Sequence, residues 1–140
     1  MNTLLETQLK RAKEAARLLK NMPTCTKNQA LEKIADALIA HSDEILEANK
    51  KDMKHAQEVN MTKAMQDRLL FTHERIVGVS DGVKKVATLP DPIGEVMESW
   101  TRPNGLEISK VRVPIGVFGI IYEARPNVTV DIASLCLKSG

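Results

Sequence analysis

Aromatic residues are nearly missing from this chain. Two Phe, one Tyr and one Trp make up 3% of its 140 residues, too few for the stacking surfaces that hold single-stranded nucleic acids. Charge of one sign is missing as well. Twenty Lys and Arg stand against 18 Asp and Glu, well mixed, for a net charge of +2, which leaves no electrostatic footprint for nucleic acid or an anionic membrane. Cysteine is scarce: Cys25 and Cys136 are far apart and belong to no metal-spaced cluster. That argues against a secreted disulfide scaffold and for a reducing, cytoplasmic setting. His41, His55 and His73 are isolated on polar positions and read as surface histidines without metal-ligand spacing. No run is long and apolar enough to span a bilayer. The N-terminus lacks a signal-peptide apolar segment, and Glu6 and Glu14 disfavour a transit peptide. No G-x-G-x-x-G phosphate loop, internal repeat or low-complexity segment occurs.

What is present is a core-forming composition, 43% hydrophobic and 27% charged, expected of one globular domain. Residues 1–89 read as helical. Leu5, Leu9, Ala12, Ala16 and Leu19 share one face of a first helix ended by Pro23. Thr26 and Gln29 form a capping box for a second, with Ala30, Ile34, Ala37 and Leu38 inward. Ser42 or Asp43 caps a third, with Ile45, Ala48 and Asp52 on one side, and a solvated face at Lys50, Lys51, Asp52 and Lys54. A short helix follows Thr62 and carries Met65 and Leu69. Thr72 caps a fifth with Ile76, Val79, Val83 and Val86 inward, stopped by Leu89-Pro90-Asp91-Pro92.

Beyond this the texture changes. Glu95 to Val113 reads as a β-hairpin. Pro103-Asn104-Gly105 suits a three-residue loop with Gly in the left-handed position; a two-residue Asn104-Gly105 turn is the rival, but it wants an N–H that Pro103 lacks. A hairpin alone is marginal, so this one should lie on a helix, a sheet edge or a partner subunit. From Val117 to Ile121 the run is apolar apart from Gly119 and does not alternate, the pattern of a strand covered on both faces in a parallel sheet. Gly116 and Gly119 would let a neighbouring backbone or cofactor approach closely. A helix follows, stopped at Lys138-Ser139-Gly140. A parallel strand needs a neighbour, and no second apolar strand follows. The chain is therefore expected to be part of something larger.

The turn between strand and helix, Tyr122-Glu123-Ala124-Arg125-Pro126-Asn127, is the candidate site, because ligands bind open α/β sheets at the carboxyl ends of their strands. N–H groups at the helix start can receive an anion. Arg125 either binds a carboxylate or phosphate bidentately or forms a surface ion pair with Glu123. Asn127 either caps the helix or presents its amide to an oxyanion. Cys136, inside the helix between Leu135 and Leu137, reads as a buried structural cysteine. Cys25 reads as a surface cysteine in a turn, although it precedes a helix start where a thiolate can be stabilised.

The string Val111 to Gly140 resembles the signature of the γ-glutamyl phosphate reductase family, also called glutamate-5-semialdehyde dehydrogenases. Leu31 to Leu38, Asn49 with Asp52, Asp67-Arg68-Leu69 and Leu89 to Gly94 extend the resemblance over nearly the whole chain. It implies an α/β fold of the aldehyde dehydrogenase superfamily. Residues 1–94 would be the helical part of the cofactor domain, 95–113 an oligomerisation hairpin, and 114–140 the first βα unit of a Rossmann-like nucleotide-binding sheet, truncated before the catalytic domain. The implied reaction is NADPH-dependent reduction of L-glutamate 5-phosphate to L-glutamate 5-semialdehyde in proline biosynthesis, by an oxidoreductase whose cysteine nucleophile lies outside this chain. NADPH would meet the backbone of Tyr122, Glu123 and Ala124, Arg125 would hold substrate, and Asn127 would be the oxyanion donor, as an asparagine in this turn is in related dehydrogenases. A homo-oligomer is implied, with glutamate 5-kinase a candidate partner; a bifunctional form fused to that kinase is less favoured, since the chain begins directly on the first helix. The 140 residues alone are expected to be inactive. The rival from another class is a non-catalytic helical and hairpin interaction module.

Overall fold

In a computed structural model, residues 3–140 are described; the helical reading of residues 1 and 2 lies outside them. Six helices and one hairpin follow in order: α1 (Thr3–Leu19), α2 (Thr24–Ala40), α3 (Ser42–Glu58), α4 (Lys63–Leu69), α5 (His73–Thr88), β1 (Val96–Thr101), β2 (Glu107–Val111) and α6 (Pro126–Ser139).

The centre is α5, which packs against α2 on one side and α6 on another. Its stripe Ile76, Val79, Ser80, Val83 and Ala87 is buried, at the three- and four-residue spacing of one helix face. Two adjoining clusters result. Leu31, Ala35, Val83 and Ala87 form one; Phe71, Ile76 and Val79 form the other, and Leu38 and Val130 pack against both. Ser80 is tolerated in the stripe because its hydroxyl donates to the Ala35 carbonyl at 3.0 Å.

Two helix starts form as the sequence indicates. The Thr62 hydroxyl accepts from Met65 N at 3.4 Å and the Thr72 hydroxyl from Arg75 N at 3.2 Å, the N-cap bond to the third residue. Others differ. α2 starts at Thr24, with Pro23 at the cap and no side-chain cap bond, so Thr26 lies inside the helix. Its fully buried stripe is Lys27, Leu31 and Ala35; of the expected inward residues, Ile34 and Leu38 pack against it, Ala30 is half-buried and Ala37 is exposed. Ser42 is the first residue of α3 rather than its cap, and neither it nor Asp43 makes a cap bond. On α1 the apolar face stays largely wet, with Leu5 and Leu9 exposed.

The hairpin forms with the expected three-residue loop. Gly105 N donates to Arg102 O and Arg102 N to Leu106 O, both at 2.9 Å, and Gly105 takes φ +84, a conformation glycine adopts without steric cost. The register pairs Trp100 with Ile108 and Ser99 with Ser109, and shifts between Val96 and Glu98. The ladder bonds continue outward to Gly94 and Arg112. Both strands are exposed almost throughout, and among the described residues no other element packs closely on the hairpin.

One expected element is absent. Val117–Ile121 is not a strand, and the described sheet contains β1 and β2 alone. The physical reason is the missing ladder partner: a parallel strand exists only through bonds to a neighbour. These residues face water instead, Ile121 completely. Nothing approaches Gly116 or Gly119 within 4 Å of where a Cβ would stand. What Gly116 does require is its φ of +117.

Candidate functional site

α6 begins with Pro126 at its first position, where the missing N–H costs nothing. Arg125 is the cap residue and makes no side-chain cap bond; its N–H donates to Glu123 O at 2.6 Å, which tightens the turn. Asn127 is therefore inside the helix and not its cap. Its amide donates to Asp131 Oδ2, one turn on, at 2.9 Å. That fixes the side chain while leaving the second amide hydrogen available. The alternative for Arg125, an ion pair with Glu123, does not form, and Arg125 has no side-chain partner among the described residues. The Tyr122 hydroxyl is bonded to Thr129, which holds the turn over the first turn of α6.

Arg125, Pro126, Asn127 and Asp131 line an open polar cavity of about 450 Å³. Its opposite wall is the α4–α5 corner, with Asp67, Arg68, Phe71, Arg75 and Val79. That corner is held by two side chains. Arg75 donates to the Asp67 and Leu70 carbonyls at 2.6 Å and to the Asp67 carboxylate at 3.0 Å. Asn49 reaches over from α3, donating to Leu69 O at 2.8 Å and accepting from Phe71 N at 2.7 Å. Arg68, which the site reading passed over, is one residue inside this clamped corner. The signal was in the sequence as part of Asp67-Arg68-Leu69, but only folding brings it opposite Arg125.

Neither cysteine belongs to the cavity. Cys136 is half-buried and lies nine residues along α6 from Asn127, about 13 Å at the helical rise. There it lines a separate apolar groove with Ala12, Leu19, Ile93 and Phe118. Cys25 is exposed in the first turn of α2. The three histidines are exposed; His41 and His55 neighbour Glu44 and Glu58. Among the described residues no group of three His, Cys, Asp or Glu could hold a metal, and no helix is long and apolar enough to cross a membrane.

A second cluster was not foreseen. Lys27 and Lys138 are almost completely buried. Lys27 Nζ donates to Asp91 Oδ2 at 3.0 Å, and Thr24 shares that oxygen at 2.9 Å. Lys138 Nζ donates to Asn28 Oδ1 at 2.6 Å and to the Ala87 carbonyl at 2.9 Å. The cluster joins the start of α2, the end of α5, the Pro90–Pro92 linker and the end of α6. Partial burial raises the Asp91 pKa. The Ile93 N–H, Lys27 and Thr24 outweigh it and bring the group below the usual carboxylate value.

Comparison with known proteins places this geometry. No family model matches the chain. The γ-glutamyl phosphate reductase of Moorella thermoacetica is 54% identical over 142 aligned positions, covering 100% of this chain and 34% of that protein. That of Bartonella henselae is 56% identical over 131, covering 94% and 32%. The crystal structure of the γ-glutamyl phosphate reductase of Thermotoga maritima superposes with a TM-score of 0.94 at 46% identity, covering 96% of this chain and 33% of that one. The Saccharomyces cerevisiae γ-glutamyl phosphate reductase gives 0.88 at 37%, covering 93% and 33%. The helical layer and hairpin are thus those of this aldehyde-dehydrogenase-like fold. The chain spans about a third of the length of the relatives it matches. With more than half its residues shared across nearly all its length, it belongs to the γ-glutamyl phosphate reductase family and corresponds to the N-terminal portion of its members.

Proposed function

We propose that this chain serves an oxidoreductase of proline biosynthesis, one that reduces L-glutamate 5-phosphate to L-glutamate 5-semialdehyde with release of phosphate. The carrying observation is the 54–56% identity to γ-glutamyl phosphate reductases over almost the whole chain. In this reading residues 1–94 are the helical part of a cofactor domain, 95–113 an oligomer contact and 114–140 the opening of the nucleotide-binding sheet. NADPH supplies the hydride, and the Tyr122–Ala124 turn offers backbone to hold it. The turn is open enough to do so, since Tyr122 and Glu123 are exposed and the Tyr122 hydroxyl is tied back to Thr129. Arg125 binds an anionic group of the substrate. The spare Asn127 amide hydrogen is turned toward the developing oxyanion, held in place by Asp131. The nucleophilic cysteine is supplied by another part of the polypeptide. The setting is the cytoplasm, the assembly a homo-oligomer, and glutamate 5-kinase a candidate neighbour.

A chimera tests this. The chain replaces the matching third of the Thermotoga maritima protein, and NADP+ reduction is followed with glutamate 5-semialdehyde and phosphate. Phosphate-dependent turnover by the chimera, with none from residues 1–140 alone, is the expected result. A folded chimera without turnover overturns the reading, as does turnover by the isolated chain. A second reading, a non-catalytic interaction module, draws on the hairpin, which is packed on nothing within the described chain. An inactive chimera whose hairpin still drives association would favour it.

A further inference from the structure

We infer that Arg68 and Arg125 together form a two-guanidinium site for a phosphoryl dianion. The identity of the phosphoryl carrier rests on the reductase reading; the anion site itself does not.

Both side chains line the same polar cavity, and both also line the small recess beside it with Glu123. They arrive from opposite walls, Arg68 from α4 and Arg125 from the start of α6. Of the other charged groups around them, Arg75 and Asp67 neutralise each other, whereas Asp131 and Glu123 keep their negative charge. Arg75 is spent on the Asp67 carboxylate and on two carbonyls. Asp131 accepts from Asn127. The Arg68 and Arg125 guanidinium groups make no hydrogen bond or ion pair with any described residue, and the carboxylate of Glu123, the nearest in sequence to Arg125, pairs with neither. Two unpaired guanidinium groups on one opening repel each other, and the repulsion is relieved by a shared counter-ion. A carboxylate occupies one guanidinium fork and cancels one charge. A phosphoryl group carries two charges and enough oxygens for two forks. The start of α6 adds its positive dipole end on the same side. The backbone that carries Arg68 is held in advance, because Arg75 and Asn49 bond the carbonyls on either side of it, so binding has only the exposed side chain left to order.

The test titrates inorganic phosphate into the 140-residue chain at constant ionic strength, read by NMR at the Asn127 amide and the arginine Nε–H groups, with acetate as comparison. Phosphate should saturate these shifts more tightly than acetate. Arg68→Ala and Arg125→Ala should each weaken binding by about tenfold or more. Arg68→Lys should lie between, and Arg17→Ala on α1 should change nothing. In the chimera, Arg68→Ala should raise the KM for phosphate and leave the KM for semialdehyde unmoved. An inactive chimera would sink the reductase reading and leave the phosphate titration standing. Wild-type phosphate affinity in Arg68→Ala, or equal affinity for acetate and phosphate, would overturn the site.

Discussion

Asp91 shows how a single side chain can join distant segments. Thr24, Lys27 and the Ile93 N–H all converge on its carboxylate, so α2 and the proline-rich linker are tied at one point. Lys138 has no carboxylate. Its ammonium meets the Ala87 carbonyl in the last turn of α5, and Lys27 reaches the Lys138 carbonyl at the end of α6 at 3.5 Å. Both cations thus sit at the negative ends of helices, which offsets part of their desolvation. The folded-state pKa of Asp91 is depressed, so its contribution is complete at neutral pH and fades as pH falls from about 4 through the folded-state value. Asp91→Asn should cost about 2–4 kcal/mol near pH 7, measured by urea unfolding. The gap to wild type should hold from neutral pH down to about pH 4 and narrow below it. A gap that stays constant below that pH would show that the carboxylate charge contributes nothing.

Asn49 does for elements what Asp91 does for segments. It satisfies the last carbonyl of α4 and the first free N–H after it, and so fixes the corner that carries Arg68. α4 has seven residues, too few to persist unaided. Asn49→Ala should therefore cost about 2–4 kcal/mol, since two backbone groups beside buried Phe71 lose their partner. Hydrogen exchange should show α4 opening before α2 and α5. Uniform loss of protection across the three would mean the corner is not a separate unit. The family resemblance singled out Asn49 in the sequence, but only the fold gives it this task. Thr62 and Thr72 were legible because a capping hydroxyl bonds three residues ahead, within reach of local reading. Thr26 was misread because Pro23 can start α2 without a side-chain cap. On α2 the inward reading of Ile34 and Leu38 holds, but the fully buried line beside them was missed because it opens with Lys27, and a stripe headed by lysine does not look apolar. Arg68 escaped notice as a site residue because its relation to Arg125 is entirely tertiary.

At the scale of the whole molecule, apolar surface is left uncovered in two places that adjoin. Leu5, Leu9 and Leu18 are exposed on α1, and Ile115, Phe118, Ile120 and Ile121 are exposed on the segment before α6. A groove lined by Ala16, Leu19, Ile115 and Phe118 runs between them. The pattern at Val117–Ile121 predicts a strand buried on both faces, but these residues are neither a strand nor buried, because a parallel strand needs a ladder partner and none of the described residues supplies one. Contiguous apolar surface of this kind drives association, and an unpaired segment rich in β-branched residues adds a sticky edge. The 140-residue chain should therefore self-associate at micromolar concentration and bind an environment-sensitive dye such as ANS. Phe118→Lys with Ile121→Lys should reduce both effects. It should leave the melting temperature within a few degrees, because side chains already in water add little to the folded core. Light scattering across a concentration series decides the matter. Undiminished association in the double variant would move the cause to α1 or the hairpin, and a large fall in melting temperature would show that the segment is packed in solution after all.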